Sequence, residues 1–251
     1  MSSQKLAQVQ QLREQIARCE TQRRPADSTH SSAGAPILDR LLPGGGFRPG
    51  TIVEWLAEEP GSGTSALVIL AARAACRTGR QLVVLDRSRR FYPLALVPWK
   101  FPSEQVLVVR ALTEADELWA ADQALRSSAV GAVWLTWDQL SSQDFRRLQL
   151  AAEQGGSLGL LIRPAHHLGQ PSWADVQWRV ASRAPPQNSS GRLLSIELTR
   201  CRGGQAKPPV IVEIDDHSGS LREVSCHVAT HSLSSSTQLA HPTIARRATG
   251  T

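Results

Sequence analysis

The stretch TIVEWLAEEPGSGTSALVIL, residues 51–70, decides the fold of this chain. It begins with an apolar run, Thr51 to Leu56, that is typical of a buried strand. A loop containing Gly61 and Gly63 follows, and residues 66–72 then form an apolar segment typical of a helix. A strand, a glycine loop and a helix in this order predict an α/β unit, with the loop at one edge of a sheet.

The loop has the position of a phosphate-binding loop but not its full chemistry. That motif reads G-x-x-x-x-G-K-[ST], because backbone N–H groups hold the phosphates, the lysine reaches the outer phosphates and the hydroxyl ligates Mg²⁺. Aligning the motif on Gly63 places Glu58 at the first glycine, Thr64 at the lysine and Ser65 at the hydroxyl. The candidate nucleotide-contacting residues of this degenerate loop are Gly61, Gly63, Thr64 and Ser65.

Three further features of the loop disfavour an anion. Thr64 supplies no cation, Glu58 and Glu59 add negative charge at the rim, and Pro60 lacks an N–H donor. The alternative interpretation is an ordinary turn that caps the helix, with Ser62 or Thr64 as the N-cap residue. The loop alone does not decide between these two interpretations.

Composition predicts one large domain with tails and a cytoplasmic location. The chain has 251 residues, of which 41% are hydrophobic, and this is enough for one sizeable core. Its four cysteines are widely scattered, which suits a reducing compartment better than a disulfide framework. The polar N-terminus and the lack of a membrane-length apolar stretch predict neither secretion nor membrane insertion.

The histidines do not predict a metal site. His166 and His167 are adjacent, as are Cys226 and His227, but the sequence shows no further ligands at the spacing of a tetrahedral site. We therefore expect solvated loop histidines and no bound metal.

The net charge of +6 is compatible with a nucleic-acid partner or an acidic protein partner. Arginines form several clusters along the chain, and the alternative for each cluster is a solvated face. The candidate contacts to DNA or to a protein partner are Arg87, Arg89, Arg90, Arg146 and Arg147.

The chain divides into four segments. Residues 1–24 are predicted to form an amphipathic helix, residues 25–33 a linker, residues 34–216 the core domain, and residues 217–251 a polar and largely disordered tail. The helix needs a partner surface, either on another molecule, which includes an oligomer of this chain, or on its own core domain. Its apolar positions are Leu6, Val9, Leu12 and Ile16.

Within the core, short apolar runs alternate with helical segments up to about residue 162, which predicts a parallel sheet with helices on its faces. Thr113 with Asp116 predicts the start of one helix, and Gly155 with Gly156 the end of another. The later runs at residues 176–180, 193–198 and 210–214 predict antiparallel strands, the last two forming a hairpin.

Read together, these elements resemble the RecA fold. Residues 34–54 resemble the entry segment of RecA-like recombinases, where a turn leads into the strand before the phosphate loop. The segments DFRRLQLAAEQGGSLGLLIRP (144–164) and ELTRCRGG (197–204) are similar to the ImuA family, RecA-like accessory proteins of bacterial damage-induced mutagenesis. The resemblance implies a RecA-like P-loop NTPase fold, with a mostly parallel central sheet flanked by helices and a C-terminal antiparallel hairpin.

Carried over position by position, the resemblance implies an inactive ATPase. Ser88 stands where RecA-like proteins carry the glutamate that orients the attacking water, and Thr136 stands at the Walker B carboxylate, with Asp138 two residues later. Arg200 and Arg202 match the basic pair that reaches the nucleotide of a neighbouring subunit, although an exposed hairpin edge is the alternative for them. We expect no cofactor, and weak ATP binding stays open.

The resemblance implies a non-catalytic scaffold of the SOS response and of translesion DNA synthesis. Its expected partners are an inactive Y-family polymerase homologue (ImuB-like) and an error-prone C-family DNA polymerase, with RecA and DNA as further candidates and association with the nucleoid. One alternative is a RecA-family ATP-binding protein with a rearranged nucleotide site that acts on DNA. A second is a SulA-type cell-division inhibitor, since some relatives carry that label.

Overall fold

One sheet organises the described part of the chain. The computed structural model describes residues 30–185, 191–215 and 219–224. The strands in these residues are β1 (Ile52–Ala57), β2 (Gln81–Leu85), β3 (Val106–Val109), β4 (Val130–Thr136), β5 (Leu158–Pro164), β6 (Val176–Arg183), β7 (Arg192–Cys201), β8 (Lys207–Asp215) and β9 (Ser220–Glu223). Their spatial order is β3-β2-β4-β5-β1-β6-β7-β8-β9.

The sheet has a parallel part and an antiparallel part. Every neighbouring pair from β3 to β6 in this order is parallel, and the pairs β6–β7, β7–β8 and β8–β9 are antiparallel. The antiparallel part therefore extends beyond the predicted hairpin. Strand β9 lies past residue 216, where the sequence predicts the end of the core, so the paired chain reaches at least Glu223.

Each longer helix follows a local sequence signal. Thr113 accepts a hydrogen bond from the N–H of Asp116 (3.1 Å), and Ser141 accepts one from Asp144 (3.0 Å), so both residues act as N-caps. The last helix ends at Gly156, which has a φ of 67°. The helices are α1 (Pro36–Asp39), α2 (Thr64–Ala75), α3 (Glu114–Arg126) and α4 (Ser142–Gly155).

The sheet has an apolar layer on each face. Helix α2 packs on one face together with the segments around Phe47 and Trp99, and this core continues under the antiparallel strands. Helices α3 and α4 pack on the opposite face, over the parallel strands. On the α2 face, Trp55 of β1 stacks on Trp178 of β6 with a centroid separation of 5.8 Å. The parallel and antiparallel parts therefore share one core.

Several predicted segments lie wholly or partly outside the described residues. These include the N-terminal helix with Leu6, Val9, Leu12 and Ile16, and most of the predicted linker and C-terminal tail. The last linker residues are described, and there Ser31 pairs with Phe47 through two backbone hydrogen bonds of 2.7 Å. Among the described helices, none has the length and apolarity needed to cross a membrane.

Candidate functional site

The glycine loop joins the end of β1 to the start of α2, as the sequence predicts. Gly63 is the N-cap of α2, with a φ of 83° and no side-chain capping bond. A Cβ atom at this position would lie 2.6 Å from a methyl carbon of Leu194 in β7. The left-handed backbone favours glycine here, and any larger residue would also have to displace the Leu194 side chain. The alternative in which Ser62 or Thr64 is the N-cap residue is wrong, because Gly63 holds that position and no side chain caps the helix.

The Ser62 and Thr64 hydroxyls form a buried pair under the loop. Their oxygens are 2.8 Å apart, and the two residues are only 2% and 4% exposed. Thr64 occupies the position that the motif gives to lysine, but its side chain is directed into the protein. Ser65, at the hydroxyl position of the motif, is exposed. The loop therefore places no cation where the outer phosphates of a nucleotide would lie.

Three backbone positions of the loop cannot donate to a phosphate. The N–H of Glu58 donates to the carbonyl of Val180 (3.0 Å), and the N–H of Ser62 donates to the carbonyl of Glu59 (3.1 Å). Pro60 has no N–H. A phosphate-binding loop needs several N–H groups that point at the anion. The tight turn from Glu59 to Ser62 therefore uses N–H donors that a phosphate-binding loop would need for its anion.

The surface beside the loop carries charges of both signs. Glu58 forms a close ion pair with Arg179 of β6, and Arg179 also lies 3.6 Å from Glu197 of β7. These residues line a cavity of about 400 Å³, whose other lining residues are Glu59, Ala181, Arg183, Ser195 and Pro209. Three carboxylates and two guanidinium groups do not make an anion-binding pocket.

The acidic residue that follows β2, Asp86, stabilises the turn after that strand. The Asp86 carboxylate accepts hydrogen bonds from the backbone N–H groups of Arg90 (2.7 Å) and Phe91 (3.1 Å), and it lies 3.5 Å from Nε of Arg110. Ser88 is exposed in this turn, and Thr136 is exposed at the end of β4. Neither residue supplies a carboxylate to this edge of the sheet.

The basic pair Arg200 and Arg202 lies at the opposite edge of the sheet. Leu194 of β7 lies under the glycine loop. Arg200 follows six positions later in β7, and Arg202 follows eight positions later, just past the end of the strand, which correspond to about 20 Å and about 26 Å at the usual strand rise. Arg200 donates to the carbonyl of Ser172 (2.7 Å), and Arg202 lies 3.7 Å from the buried carboxylate of Asp175. This pair cannot reach the loop of its own chain.

The other candidate arginines divide into paired and exposed side chains. Arg87 forms an ion pair with Glu117 of α3 (3.0 Å), and Arg147 forms one with Asp122 of α3 (3.1 Å). Hydrogen bonds from Arg126 and Arg147 hold the pKa of Asp122 below its ordinary value. Arg89 and Arg90 are exposed in the turn after β2. The guanidinium group of Arg146 lies over the ring of Trp173, 4.9 Å from the ring centroid.

A buried polar cluster crosses three strands and was not predicted from the sequence. The Glu54 side chain is 0% exposed and accepts hydrogen bonds from Arg163 (3.0 Å), Ser172 (2.9 Å) and Gln177 (2.7 Å). Two sequence features could have indicated this cluster. They are the glutamate inside the apolar run of β1 and the arginine near the end of β5, because a charge inside a buried strand requires a partner.

The same arginine connects this cluster to three residues that could hold a metal ion. Arg163 donates to the carbonyl of Asp138 (2.9 Å) and contacts the His167 ring. Nε2 of His167 lies 2.9 Å, and Nε2 of His166 lies 3.2 Å, from Oδ1 of Asp138. The hydrogen bond to His167 lowers the pKa of Asp138. The expectation of solvated histidines is wrong for His167, which is 3% exposed. Asp138 meets the two histidines only in the folded chain, because it follows a different strand.

The comparisons with known proteins identify the fold and the family. No protein-family model matches the chain. The crystal structure of RadB recombinase aligns with a TM-score of 0.58 at 17% identity, covering 77% of this chain and 99% of that one. Protein ImuA of Caulobacter vibrioides is 30% identical over 193 residues, which are 69% of this chain and 79% of the relative. The chain belongs to the ImuA family.

This assignment confirms the resemblance described above, and the RadB match confirms a RecA-like fold. The ImuA-family chain also shares 35% identity over 72 residues with the cell division inhibitor SulA of Klebsiella aerogenes. That match covers 28% of this chain and 42% of the SulA chain. The ImuA match therefore describes far more of the molecule than the SulA match does.

Proposed function

We propose that this ImuA-family chain is a non-catalytic scaffold of SOS-induced translesion DNA synthesis. It holds an inactive Y-family polymerase homologue and an error-prone C-family polymerase together at damaged DNA. Family membership and the RecA-like fold support a role in damage-induced mutagenesis. The buried Ser62–Thr64 hydroxyl pair is the observation that supports a scaffold in preference to an ATPase.

ATP hydrolysis requires that the negative charge of the nucleoside triphosphate be neutralised. Phosphoryl transfer requires a metal, an oriented water and neutralised phosphate oxygens at the same time. Loss of one transition-state donor already lowers turnover by about 100-fold or more. Here Thr64 gives no cation, Ser88 and Thr136 give no carboxylate, and Ser62 has used its N–H within the turn. These losses act on different requirements of the same reaction.

Contact with DNA forms part of this proposal. Arg89 and Arg90 are exposed in the turn after β2, at the edge of the sheet where the glycine loop also lies. Exposed arginines bind phosphates without reading sequence. A scaffold that acts at lesions of any sequence context needs binding of this kind.

The experiment tests assembly and turnover together. The full chain is used as bait for the two purified polymerases, alone and together, and ATP hydrolysis is measured in the same preparations. We expect a stable complex with the Y-family homologue and ATP turnover at background. Lack of binding to either polymerase would refute the scaffold, and turnover that depends on this chain would refute its non-catalytic nature.

A pair of variants tests docking through the N-terminal helix. Leu12→Asp with Ile16→Asp removes the apolar face that the sequence predicts, and Gln11→Asp with Gln15→Asp adds the same charges at polar positions. We expect only the first pair to weaken the complex. Equal binding by both pairs would show that the partners dock elsewhere.

The position of Arg200 and Arg202 favours one alternative, a nucleotide held between two copies of the chain. Because they lie about 20 Å and about 26 Å along the chain from the residue under their own glycine loop, they can contact a loop-bound nucleotide only in another copy of the chain. A fluorescent ATP analogue, titrated with and without Mg²⁺, distinguishes this alternative. Saturable micromolar binding that is lost in Arg202→Ala would support it over the scaffold without nucleotide.

A further inference from the structure

We propose that Asp138, His166 and His167 form a binding site for a divalent transition metal, with Zn²⁺ as the best fit. Their ligand atoms all lie within 4.8 Å of one another. Both histidines direct Nε2 at the same carboxylate oxygen, at 3.2 Å and 2.9 Å. Two imidazole nitrogens and one carboxylate oxygen are a donor set that Zn²⁺ accepts.

The spacing of these atoms agrees with tetrahedral coordination. Zinc binds histidine nitrogen and carboxylate oxygen at about 2.0–2.2 Å, so adjacent ligand atoms in a tetrahedron are about 3.3 Å apart. The distances from Asp138 Oδ1 to the two Nε2 atoms are already close to this value. Two of the three distances between ligand atoms thus already suit a tetrahedral site, and the donor atoms of the two histidines lie within 4.8 Å of each other.

The backbone brings the three residues together from neighbouring strands. Asp138 lies two residues beyond the end of β4, and the two histidines end a short 3-10 turn, Ala165–His167, that directly follows β5. Strands β4 and β5 are parallel neighbours, so both segments leave the sheet at the same edge. The packed sheet thus preorganises residues that are far apart in sequence.

A second group of contacts can hold His167 in the tautomer that a metal needs. Its Nδ1 lies 2.8 Å from Oε1 of Gln170. When Nε2 binds a metal, the proton resides on Nδ1, and Gln170 accepts it as a hydrogen bond. Metal-bound histidines usually have such a partner for their other nitrogen.

Arg163 is the group that opposes a cation here. Its Nη2 atom lies 2.9 Å from Nδ1 and 3.3 Å from Nε2 of His167. Its charge is countered by the buried carboxylate of Glu54, which is 3.0 Å from Nη1, and Nη2 also has the Asp138 carbonyl as an acceptor. The cluster can therefore keep Arg163 satisfied when the histidine changes tautomer.

The exposure of the three ligands defines the type of site. His167 is 3% exposed, whereas the side chains of His166 and Asp138 are 58% and 57% exposed. One ligand is thus anchored in the protein and two lie at the surface. A zinc ion held here by three protein ligands keeps its fourth position open to water or to a ligand from a partner.

The test measures Zn²⁺ binding to the full chain by isothermal titration calorimetry, and the absorption of bound Co²⁺ as a reporter of tetrahedral geometry. We expect His166→Ala to remove one bound Zn²⁺ or to weaken that site by at least about tenfold. Gln170→Ala retains all three ligands and is expected to weaken the site by about 10-fold to 100-fold. His30→Ala is the matched control, because His30 is also exposed but lies outside the cluster.

The chain has other cysteines and histidines that could bind zinc, so the difference between variants is the decisive quantity. His166 is exposed, and its replacement leaves the buried contacts of His167 in place, which keeps the comparison within folded protein. Asp138→Asn provides a second test from the other strand. Equal Zn²⁺ stoichiometry and affinity in wild type, His166→Ala and Asp138→Asn would overturn the proposal.

Discussion

Ser62 and Thr64 share a hydrogen bond of 2.8 Å beneath the glycine loop, and this bond occupies the site from which a phosphate loop extends its lysine. The same turn uses the N–H of Ser62 internally. The loop is therefore stabilised by its own side chains, whereas a functional phosphate loop leaves such groups for its ligand. This local arrangement leads to the first prediction.

Thr64→Lys should destabilise the protein without creating an ATPase. A lysine at this buried position loses the bond to Ser62 and places an ammonium group against apolar neighbours. We expect the free energy of unfolding to fall by more than about 2 kcal/mol, measured by urea denaturation. Ser65→Lys, at the adjacent exposed position, is the control and should change stability little. A stable Thr64→Lys protein that hydrolyses ATP would contradict this view of the loop.

Removing Arg163 should cost more stability than removing an exposed arginine. Arg163→Met leaves the Glu54 carboxylate buried without its charge partner, which typically costs about 3–5 kcal/mol. Arg179→Met breaks the surface pair with Glu58 and should cost less than about 1 kcal/mol. Urea denaturation measures both values. The double variant Glu54→Leu with Arg163→Met should recover much of the loss, and failure to do so would indicate that packing, not the buried charge, dominates.

Stability should fall in acid as Asp122 becomes protonated. Because Arg126 and Arg147 lower the pKa of Asp122 in the folded chain, the unfolded chain binds this proton more readily. The contribution is present above the ordinary pKa of 3.8 and is lost as the pH falls through the lower folded value. Thermal unfolding between pH 6 and about pH 3 should show a smaller decrease in Asp122→Asn than in wild type. Glu59→Gln, in the exposed loop, is the control.

Cys76 should resist thiol reagents in the folded protein. Burial raises the pKa of its thiol to about 11, so very little thiolate is present at neutral pH. Labelling with a disulfide reagent at pH 8, followed by mass spectrometry of peptides, should show Cys76 modified only after urea is added. Cys76→Ser identifies the corresponding peptide. Rapid labelling of Cys76 under native conditions would show that the core over α2 opens easily.

DNA binding should depend on the exposed arginines of the turn after β2. Replacing both Arg89 and Arg90 by alanine should weaken binding to DNA of any sequence. It should also reduce the steepness of the plot of log affinity against log salt concentration by about two. Fluorescence anisotropy with labelled single-stranded and double-stranded DNA at several salt concentrations measures this. Arg77→Ala changes an exposed arginine after α2 and is the control. Identical salt slopes in all proteins would exclude this turn as the contact.

The sequence predicted the fold well where local signals and burial agree. The parallel strands up to about residue 162, the helix start at Thr113 and the helix end at Gly155 and Gly156 follow from apolar runs and from capping residues that act locally. Strand β9 was missed because its four residues, Ser220–Glu223, are mostly polar and are paired only by the adjacent β8. Sheet pairing there is a tertiary effect without a local signal.

The candidate site was less predictable, because its contacts join distant parts of the chain. No spacing rule connects Asp138 with His166, or Glu54 with Arg163, since each pair meets only after parallel strands align. The partners of Arg200 and Arg202 are likewise set by the loop segment before β6, residues 172–175. The departure of the glycine loop from the motif can be read from the sequence. The hydrogen bond between Ser62 and Thr64, at the lysine position, depends on the folded loop and could not be predicted from the sequence.

The Ser62–Thr64 pair also bears on how this lineage could evolve. A single change of Thr64 to lysine would lower the protein's stability before it could give any benefit, because the hydroxyl pair is part of the packed interior. The carboxylate of Asp86, which fixes the turn containing Ser88, adds a second such constraint. Placing a lysine and a carboxylate at these two positions would therefore need several coordinated changes, because each change would disturb a turn that its own side chains stabilise.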